Sequence, residues 1–429
     1  MWVGKIIINK VQYVGKLATL VIEMFTSKPP QPDMKGGHSF NEIVIRRLLE
    51  LIDDSVQIIL VVPMAFKVRE DITILLQNKD HRIIRLKKIS ELNSIFNDTS
   101  EPYTYFSPMN LEGFDSLPSR NDFKIYGISY LHDLRDFEVY RLADTFIENE
   151  KFFYRVYRFK NIRNFIAHFL ISTSPKIYLL LMKRLAFKWL DDMKKKTTRA
   201  SYIIVNSRWT FNQARKFLAP EINNLPITII HPPKNEILEE SEIQTGTQPE
   251  RFFLAMMANR KEKNISVILK AFAIFCKSGI DNEFKLVITG ADTEFINYVK
   301  RHFDLRGKVE MKNYISQQDL HNLLWKSSAV LVPSIDEGFG HPILEAMEAG
   351  KKIICSNIEV FHEFCNGNCE FFAPYDYETL ARIMQNSIKK EESKDSDKQK
   401  FSGKLTWYSK ASNIRLDMIV NTIIDHIIR

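Results

Sequence analysis

Residues 331–354 read LVPSIDEGFGHPILEAMEAGKKII. The run Ala329 to Val332 has the composition of a buried strand, and Pro333 and Ser334 end it. Asp336 to Gly340 hold two glycines and read as a tight loop. Pro342 and Gly350 bracket a helix, because proline suits the first helical position and glycine the residue just past the last. A second apolar run, Ile353 to Cys355, follows at once. Strand, glycine loop, helix and strand make a βαβ unit. In open α/β sheets, ligands bind outside the carboxyl ends of the strands, where this loop lies.

The chemistry of the stretch rests on two acids. Glu337 is on the loop, and Glu345 is expected in the first turn of the helix. Backbone N–H groups around Gly338, Phe339 and Gly340 are donors at a helix start, where the dipole also favours an anion. Glycines let a phosphate approach the chain closely. Carboxylates beside such a site repel phosphate, so their natural partners are neutral hydroxyls. A nucleotide sugar, with a diphosphate in the middle and polyols at both ends, has that chemistry. The bland alternative makes Glu337 a loop acid and Glu345 a partner of the helix dipole. A dinucleotide fingerprint would need a third glycine at 343, where Ile343 stands.

The run Pro333–Ser334, Glu337–Gly338–Phe339–Gly340, Pro342 and Leu344–Glu345–Ala346–Met347 before Gly350 resembles the signature of glycosyltransferase family 4. That resemblance implies an α/β, GT-B fold: two Rossmann-like domains facing a central cleft. It implies retaining transfer of a hexose of the mannose, glucose or rhamnose class in cell-surface polysaccharide assembly. By the same resemblance Glu337 contacts the transferred sugar, Leu344 belongs to the donor site, and Glu345 binds ribose hydroxyls. The amides near Gly338, Phe339 and Gly340 hold sugar and phosphate.

Length and charge suggest how the rest is arranged. A chain of 429 residues exceeds what one core usually spans. Four cysteines are too few for a disulfide scaffold, so Cys365 and Cys369 are expected as free thiols in a reducing compartment. Lys5 and Lys10 interrupt the N-terminal apolar residues, so no secretory leader is expected, and no uncharged run reaches the length of a membrane span. Residues 1–235 carry 35 Lys+Arg and 24 Asp+Glu, net +11, whereas the remainder carries 25 and 28, net −3. Residues 151–200 account for this excess, with 13 basic side chains against Asp191 and Asp192 alone. Phe165 to Met182 within it is strongly apolar, and Leu185, Phe187 and Trp189 alternate with cations. Such helices suit an anionic membrane surface; the alternative is a core helix with a basic solvated face. No nucleic-acid reader motif accompanies the charge, so nucleic acid is not expected as a partner.

Taken in order, a strand is expected at Thr19 to Phe25, then a Pro-rich loop, Gly36–Gly37, and a helix over Phe40 to Leu51. The resemblance puts Gly36 and Gly37 against the donor phosphates. Val56 to Val62 and His81 to Leu86 read as strands, and residues 90–122 as polar loop with scattered aromatics. The strand Ile125 to Leu131 ends in His132–Asp133. A lone histidine is commonly structural, but the resemblance places His132 beside the donor sugar as a hydrogen-bond donor. Ser207, before a helix over Thr210 to Leu218, is either an N-cap or a ligand contact. Residues 234–250 read as a linker. The expected domains are 1–235, binding acceptor, 236–400, binding nucleotide sugar, and a helix in 401–429 crossing back, started by Trp407.

In the second domain a strand at Arg251 to Met257 leads into Arg260, Lys263 and a helix over Ile265 to Lys277. Cations on such a loop suit a diphosphate leaving group, and the resemblance makes Arg260 and Lys263 its clamps. The family has glycine near the end of this strand, where Met257 and Ala258 stand. Ile315 is placed to offer its backbone to the base. Asp395–Ser396–Asp397 lies in a run of charges and reads as solvated surface rather than a metal site. Arg260, Lys263 and the helix dipoles do the work of a metal ion, so neither metal nor cofactor is expected. The expected partners are a nucleotide sugar, a glycan or lipid-linked acceptor and an anionic membrane, at the inner face of the cytoplasmic membrane. Two other classes share the layout. A phosphorylase would carry a cofactor lysine motif, and an inactive relative would act as a partner in a glycosylation complex. Nucleotide release from a panel of sugar nucleotides separates them.

Overall fold

The computed structural model describes residues 18–25, 37–77, 81–93, 102–117, 125–134, 143–233, 250–391 and 412–427, apart from 158, 257–259, 282, 304, 306, 314, 366 and 368. Gly36, Trp407, the Asp395–Asp397 run and, but for Glu250, the linker expected at 234–250 lie outside them.

The first half builds strands β1 (Ala18–Glu23), β2 (Val56–Pro63), β3 (Arg82–Leu86), β4 (Tyr103–Ser107), β5 (Ile125–Leu131), β6 (Tyr202–Val205) and β7 (Ile227–Ile229). Its helices are α1 (Gly37–Leu51), α2 (Glu70–Gln77), α3 (Ala143–Tyr157), α4 (Ile162–Thr173), α5 (Pro175–Thr197) and α6 (Arg208–Phe217). The second half adds β8 (Phe252–Ala255), β9 (Lys285–Ile288), β10 (Val309–Met311), β11 (Ala329–Val332), β12 (Lys352–Ser356) and β13 (Cys369–Phe372). With them come α7 (Ile265–Lys277), α8 (Thr293–His302), α9 (Gln317–Lys326), α10 (His341–Glu348), α11 (Glu359–Cys365), α12 (Tyr377–Glu391) and α13 (Ser412–Ile427).

Two sheets result, one ordered β3-β2-β1-β4-β5-β6-β7 and the other β10-β9-β8-β11-β12-β13. The second sheet is parallel throughout. Both orders are doubly wound, so the strand sequence reverses direction between β1 and β4 and between β8 and β11. β4 corrects the reading of residues 90–122 as loop. Its sequence, YTYFS, lacks aliphatic residues, yet every side chain is buried because the strand sits between β1 and β5. Position in the sheet outweighs local propensity here.

Three helices open on a capping side chain, and α6 starts at Arg208, two residues before the expected Thr210. Ser207, Asp292 and Ser316 each accept the backbone N–H three residues on, opening α6, α8 and α9. Proline sits in the first turn of α5 and of α10.

Packing divides the chain into two units: Met1–Tyr130 with Arg199–Ile203 and Leu416–Arg429, and Leu131–Thr198 with Ile204–Arg415. The division does not follow a cut at 235. The basic segment, expected in the first domain, belongs to the second unit. There Phe152 of α3 meets the rings of Phe295, Tyr298 and Phe303, and the Tyr157 hydroxyl donates to Asp292 at 2.9 Å. From Leu416 on, helix α13 packs within the first unit. Arg47 pairs with Asp417 at 2.7 Å, and the His426 ring lies against Tyr126 and Tyr202.

Cys365 and Cys369 form a disulfide rather than the expected free thiols. The end of α11 and the start of β13, four residues apart, bring their Cα atoms to 5.6 Å, within bonding range. Cys276 and Cys355 are free, and burial pushes the Cys355 thiol up to about 12.

The second unit's core centres on β8. The fully buried Phe253 ring meets Phe284 at 4.6 Å and Phe275 at 5.6 Å. Replacing Phe253 with alanine is expected to cost about 3–5 kcal/mol, lost ring contacts and a cavity adding together. Urea unfolding followed by tryptophan fluorescence measures it.

Candidate functional site

Strands β8 and β11 are neighbours, with Ala329 opposite Phe253 and Leu331 opposite Ala255. The loops leaving their carboxyl ends therefore lie side by side at the second sheet's switch point. The loop after β8 carries Arg260 to Asn264, and the loop after β11 carries Pro333 to Gly340. Three contacts join them. The Ile335 N–H donates to the Glu262 carbonyl at 2.9 Å, and the Asn264 amide donates to the Pro333 carbonyl at 3.2 Å. The third joins two side chains: the Lys263 ammonium donates to the Glu337 carboxylate.

That ion pair is the centre of the site. Lys263 is 5% exposed and Glu337 6%. The same carboxylate oxygen accepts the Ser334 hydroxyl at 2.8 Å, and Ser334 has no exposed surface. Charges taken this far from water persist because they neutralise each other and are hydrogen-bonded. Lys263 and Glu337, expected to act on different parts of a ligand, are thus bound to one another. Truncating either one strands a buried charge, so Glu337→Ala would weaken the fold as well as the site.

The glycines are demanded by packing. A Cβ on Gly338 would lie 2.1 Å from the His132 carbonyl oxygen and 2.8 Å from Asp133 Cβ. Gly340 has φ +97°, and a Cβ there would lie 3.0 Å from the Phe361 ring. The loop is also held by α6. Ser207 Oγ and Thr210 Oγ1 donate to the Gly338 carbonyl at 2.6 and 3.2 Å, and Ser207 accepts the Thr210 N–H at 3.0 Å. Ser207 is therefore a helix cap and a loop anchor together. Asn206 Nδ2 donates to the His132 carbonyl at 2.6 Å. His132 thus reaches the site first through its backbone, as the surface on which Gly338 rests.

The other expected residues are spread around this centre. Arg260 is on the same loop and pairs with Glu262 at 2.7 Å. Glu345 is half-buried in the second turn of α10, not the first, because the helix already begins at His341. Leu344, expected at the donor site, is a core side chain packed with Val332 and Phe361. Phe339 is buried too, its ring 4.7 Å from that of Phe364, so only its backbone is available to a ligand. Ile315 is half-buried in the loop before α9. Gly37 opens α1 of the first unit.

Three residues escaped the sequence reading. His341 follows Gly340 at the start of α10. Burial holds its imidazole down to about 4; His132, Lys263 and Arg415 lower it further, and Glu337 opposes them. Glu363 accepts the backbone N–H groups of Arg208 and Trp209 at 3.0–3.3 Å, so a carboxylate caps α6. Glu23, fully buried at the end of β1 in the first unit, accepts the Ser107 hydroxyl and the Phe25 N–H at 2.8 Å each. An acid in an apolar strand was its signal; for His341 and Glu363 the sequence offers none. Among the described residues, the grouping with metal-ligand proximity is Cys355, Cys365 and Cys369, two of which are consumed by the disulfide.

Residues 237–402 match the family model described as "Glycosyl transferases group 1". The chain carries a glycosyltransferase group 1 domain. A stretch of 152 residues is 29% identical to the O-antigen chain mannosyltransferase RfbU of Salmonella typhimurium, spanning 35% of this chain and 42% of that protein. The chain therefore spans less than half the length of this curated relative. Among solved structures, sucrose-phosphate synthase from Thermosynechococcus elongatus superposes with a TM-score of 0.60 at 12% identity, covering 95% of this chain and 99% of that one. Anabaena HepE in complex with UDP-glucose gives 0.56 at 14% identity, over 95% and 98% of the two chains. The fold is thus GT-B, built from two Rossmann-like α/β units. The Lys263–Glu337 pair lies inside the segment matched by the family model.

Two outcomes follow from this geometry. Glu337→Gln alone is expected to cost about 3–5 kcal/mol, because it leaves Lys263 charged and buried, whereas the double variant Lys263→Met/Glu337→Leu recovers most of the loss. Chemical denaturation of the three proteins tests this. Between pH 6.5 and about 4 the unfolded His341 takes up a proton that the folded one refuses, so stability falls as pH drops through that window. His341→Gln should remove that part of the slope in urea midpoints measured across the window.

Proposed function

We propose that this chain is a retaining glycosyltransferase. It moves a hexosyl group of the mannose, glucose or rhamnose class from a nucleotide diphosphate sugar to a glycan or lipid-linked acceptor. The observation that carries the reading is the Lys263–Glu337 pair at the switch point of the second sheet, inside the family-matched segment. The likeness to an O-antigen mannosyltransferase supports a mannose-class donor and a role in surface polysaccharide assembly. The likeness to HepE, solved with UDP-glucose, supports a sugar nucleotide as ligand.

On this reading the donor separates the pair. Its diphosphate draws the Lys263 ammonium, helped by Arg260 and the amides at the start of α10, and the freed Glu337 carboxylate accepts sugar hydroxyls. Glu345 takes the ribose hydroxyls, and the backbone near Ile315 takes the base. His132 donates to a sugar hydroxyl, and the neutral His341 adds no positive charge beside the sugar. The acceptor oxygen bonds to the anomeric carbon from the face the leaving group departs. The carbon–oxygen bond to phosphate breaks with its electron pair going to the diphosphate, which takes the acceptor proton. Positioning and stabilisation of leaving-group charge then carry the rate. Lys263 and Arg260 supply that positive charge, so turnover proceeds without a metal ion. The acceptor is presented at the inner face of the cytoplasmic membrane, where the protein is peripheral.

The test is nucleotide diphosphate release from a panel of sugar nucleotides with a polyprenyl-linked glycan acceptor. The wild type is expected to release nucleotide with one hexose donor and in the presence of chelator. The folded Lys263→Met/Glu337→Leu variant is expected to lose at least about 10²-fold in turnover and to bind donor at least about tenfold more weakly by calorimetry. Wild-type turnover by that variant would remove these residues from the site. Donor binding without release on any acceptor would favour an inactive partner protein.

A further inference from the structure

Helices α4 and α5 carry apolar surface on two sides. Inward, Ala167, Ile171 and Tyr178 are buried, with the half-buried Tyr154 of α3 packed against them, and the Tyr178 hydroxyl donates to the buried Glu150. Glu150 also pairs with Lys261 at 2.9 Å, which fastens this corner to the loop bearing Lys263. The core-facing stripe is thus accounted for. Outward, Phe165 and Phe169 on α4 are 47% and 56% exposed, and Ile177, Leu180 and Leu185 on α5 are 53%, 53% and 50% exposed. These positions follow the spacing of one helix face and stand apart from the buried one. Single exposed hydrophobics need no explanation, but a repeated stripe on two successive helices does.

The stripe changes character along α5. Its first half presents Ile177, Leu180 and Leu181, and in its continuation Arg184 and Lys188 flank Leu185. From Ile162 to Leu190 there are five cations and no acid. The two acids beyond are engaged, Asp191 with Lys195 at 2.6 Å and Asp192 with Lys196 at 3.3 Å. Among the described residues no helix is long and apolar enough to cross a membrane.

We infer that α4 and α5 form an interfacial docking element, seating Phe165, Phe169, Ile177 and Leu180 among the acyl chains of an anionic bilayer while Arg184 and Lys188 meet lipid phosphates. This deepens the membrane reading above and rests on it only for the class of partner. Apolar residues adjoining cations on an exposed helical face match the layering of a lipid interface, hydrocarbon beneath and phosphate above. A second copy of the chain fits less well, since a self-complementary contact through this face would bring like charges together. The element shares a unit with Lys263 and Glu337, joined to their loop through Glu150 and Lys261. Docking therefore brings the donor-site residues to the membrane on which a lipid-linked acceptor is held.

Sedimentation of the full chain with vesicles tests this, using phosphatidylcholine alone and phosphatidylcholine mixed with phosphatidylglycerol. The wild type is expected to bind the mixed vesicles and to bind the neutral ones at least about tenfold more weakly. The exposed-residue variant Phe165→Ser/Phe169→Ser/Ile177→Ser/Leu180→Ser is expected to lose at least about tenfold in affinity for mixed vesicles. Arg184→Glu/Lys188→Glu should lose at least about tenfold and flatten the salt dependence. Wild-type vesicle binding by the serine variant overturns the insertion, and equal binding to both vesicle types overturns the anionic partner. A wild-type dimer in light scattering that the serine variant abolishes, with no vesicle binding, assigns the face to a second copy and also overturns the inference. Donor binding by calorimetry in vesicle-free buffer should be unchanged in both variants. If no sugar nucleotide binds while vesicle docking behaves as stated, the transferase reading falls and the docking element stands.

Discussion

A lysine and a glutamate buried almost as deeply as the hydrophobic core constrain everything around them. An ammonium or a carboxylate alone at that depth would be expelled or neutralised, so each exists there only because the other does. Keeping them in contact fixes the two loops that carry them, and those loops are adjacent only because β8 and β11 pair. The sheet order, the loop conformations and the ion pair therefore form one arrangement. A pair whose attraction is offset by desolvation is also one that an incoming charged ligand can divide at modest net cost. That property suits a donor site better than a pair serving rigidity alone.

The backbone around the pair is built to leave no slack. Gly338 presses on the His132 carbonyl, and its own carbonyl is taken by Ser207 and Thr210. Gly340 turns the chain into α10 through a left-handed conformation beneath the Phe361 ring. Each of these residues has a structural duty that would hold in a protein with no ligand at all. The same packing sets the Glu337 carboxylate close enough to His341, at the start of α10, to act on its charge. The neutral His341 keeps the surroundings of the pair from accumulating more positive charge than Lys263 brings.

The helical insert shows the opposite use of apolar residues. Its inner face obeys the rule that hydrophobic side chains seek the core, and its outer face breaks it with aromatic and aliphatic groups in contact with water. Because α3 is bonded to α8 and to the loop before α7, α3, α4 and α5 pack into the same unit as Lys263 and Glu337.

Much was legible in the chain itself. The βαβ unit around Glu337 announced itself through Pro333, the paired glycines, Pro342 and Gly350, since proline and glycine act on their own backbone and need no neighbours to do so. Strands such as β2 and β6 and caps such as Ser207 were equally local. β4 was missed because YTYFS becomes a central strand only through its neighbours on either side. The Cys365–Cys369 bond, the cap that Glu363 places on α6 and the burial of Leu344 were likewise decided by distances between segments. Sequence alone determined that a Gly-rich loop with Glu337 joins a strand to a helix, because that follows from local backbone chemistry. Only the tertiary structure decided that Lys263 is its partner and that α4 and α5 turn apolar faces outward, because burial and contact belong to the folded chain and not to any residue within it.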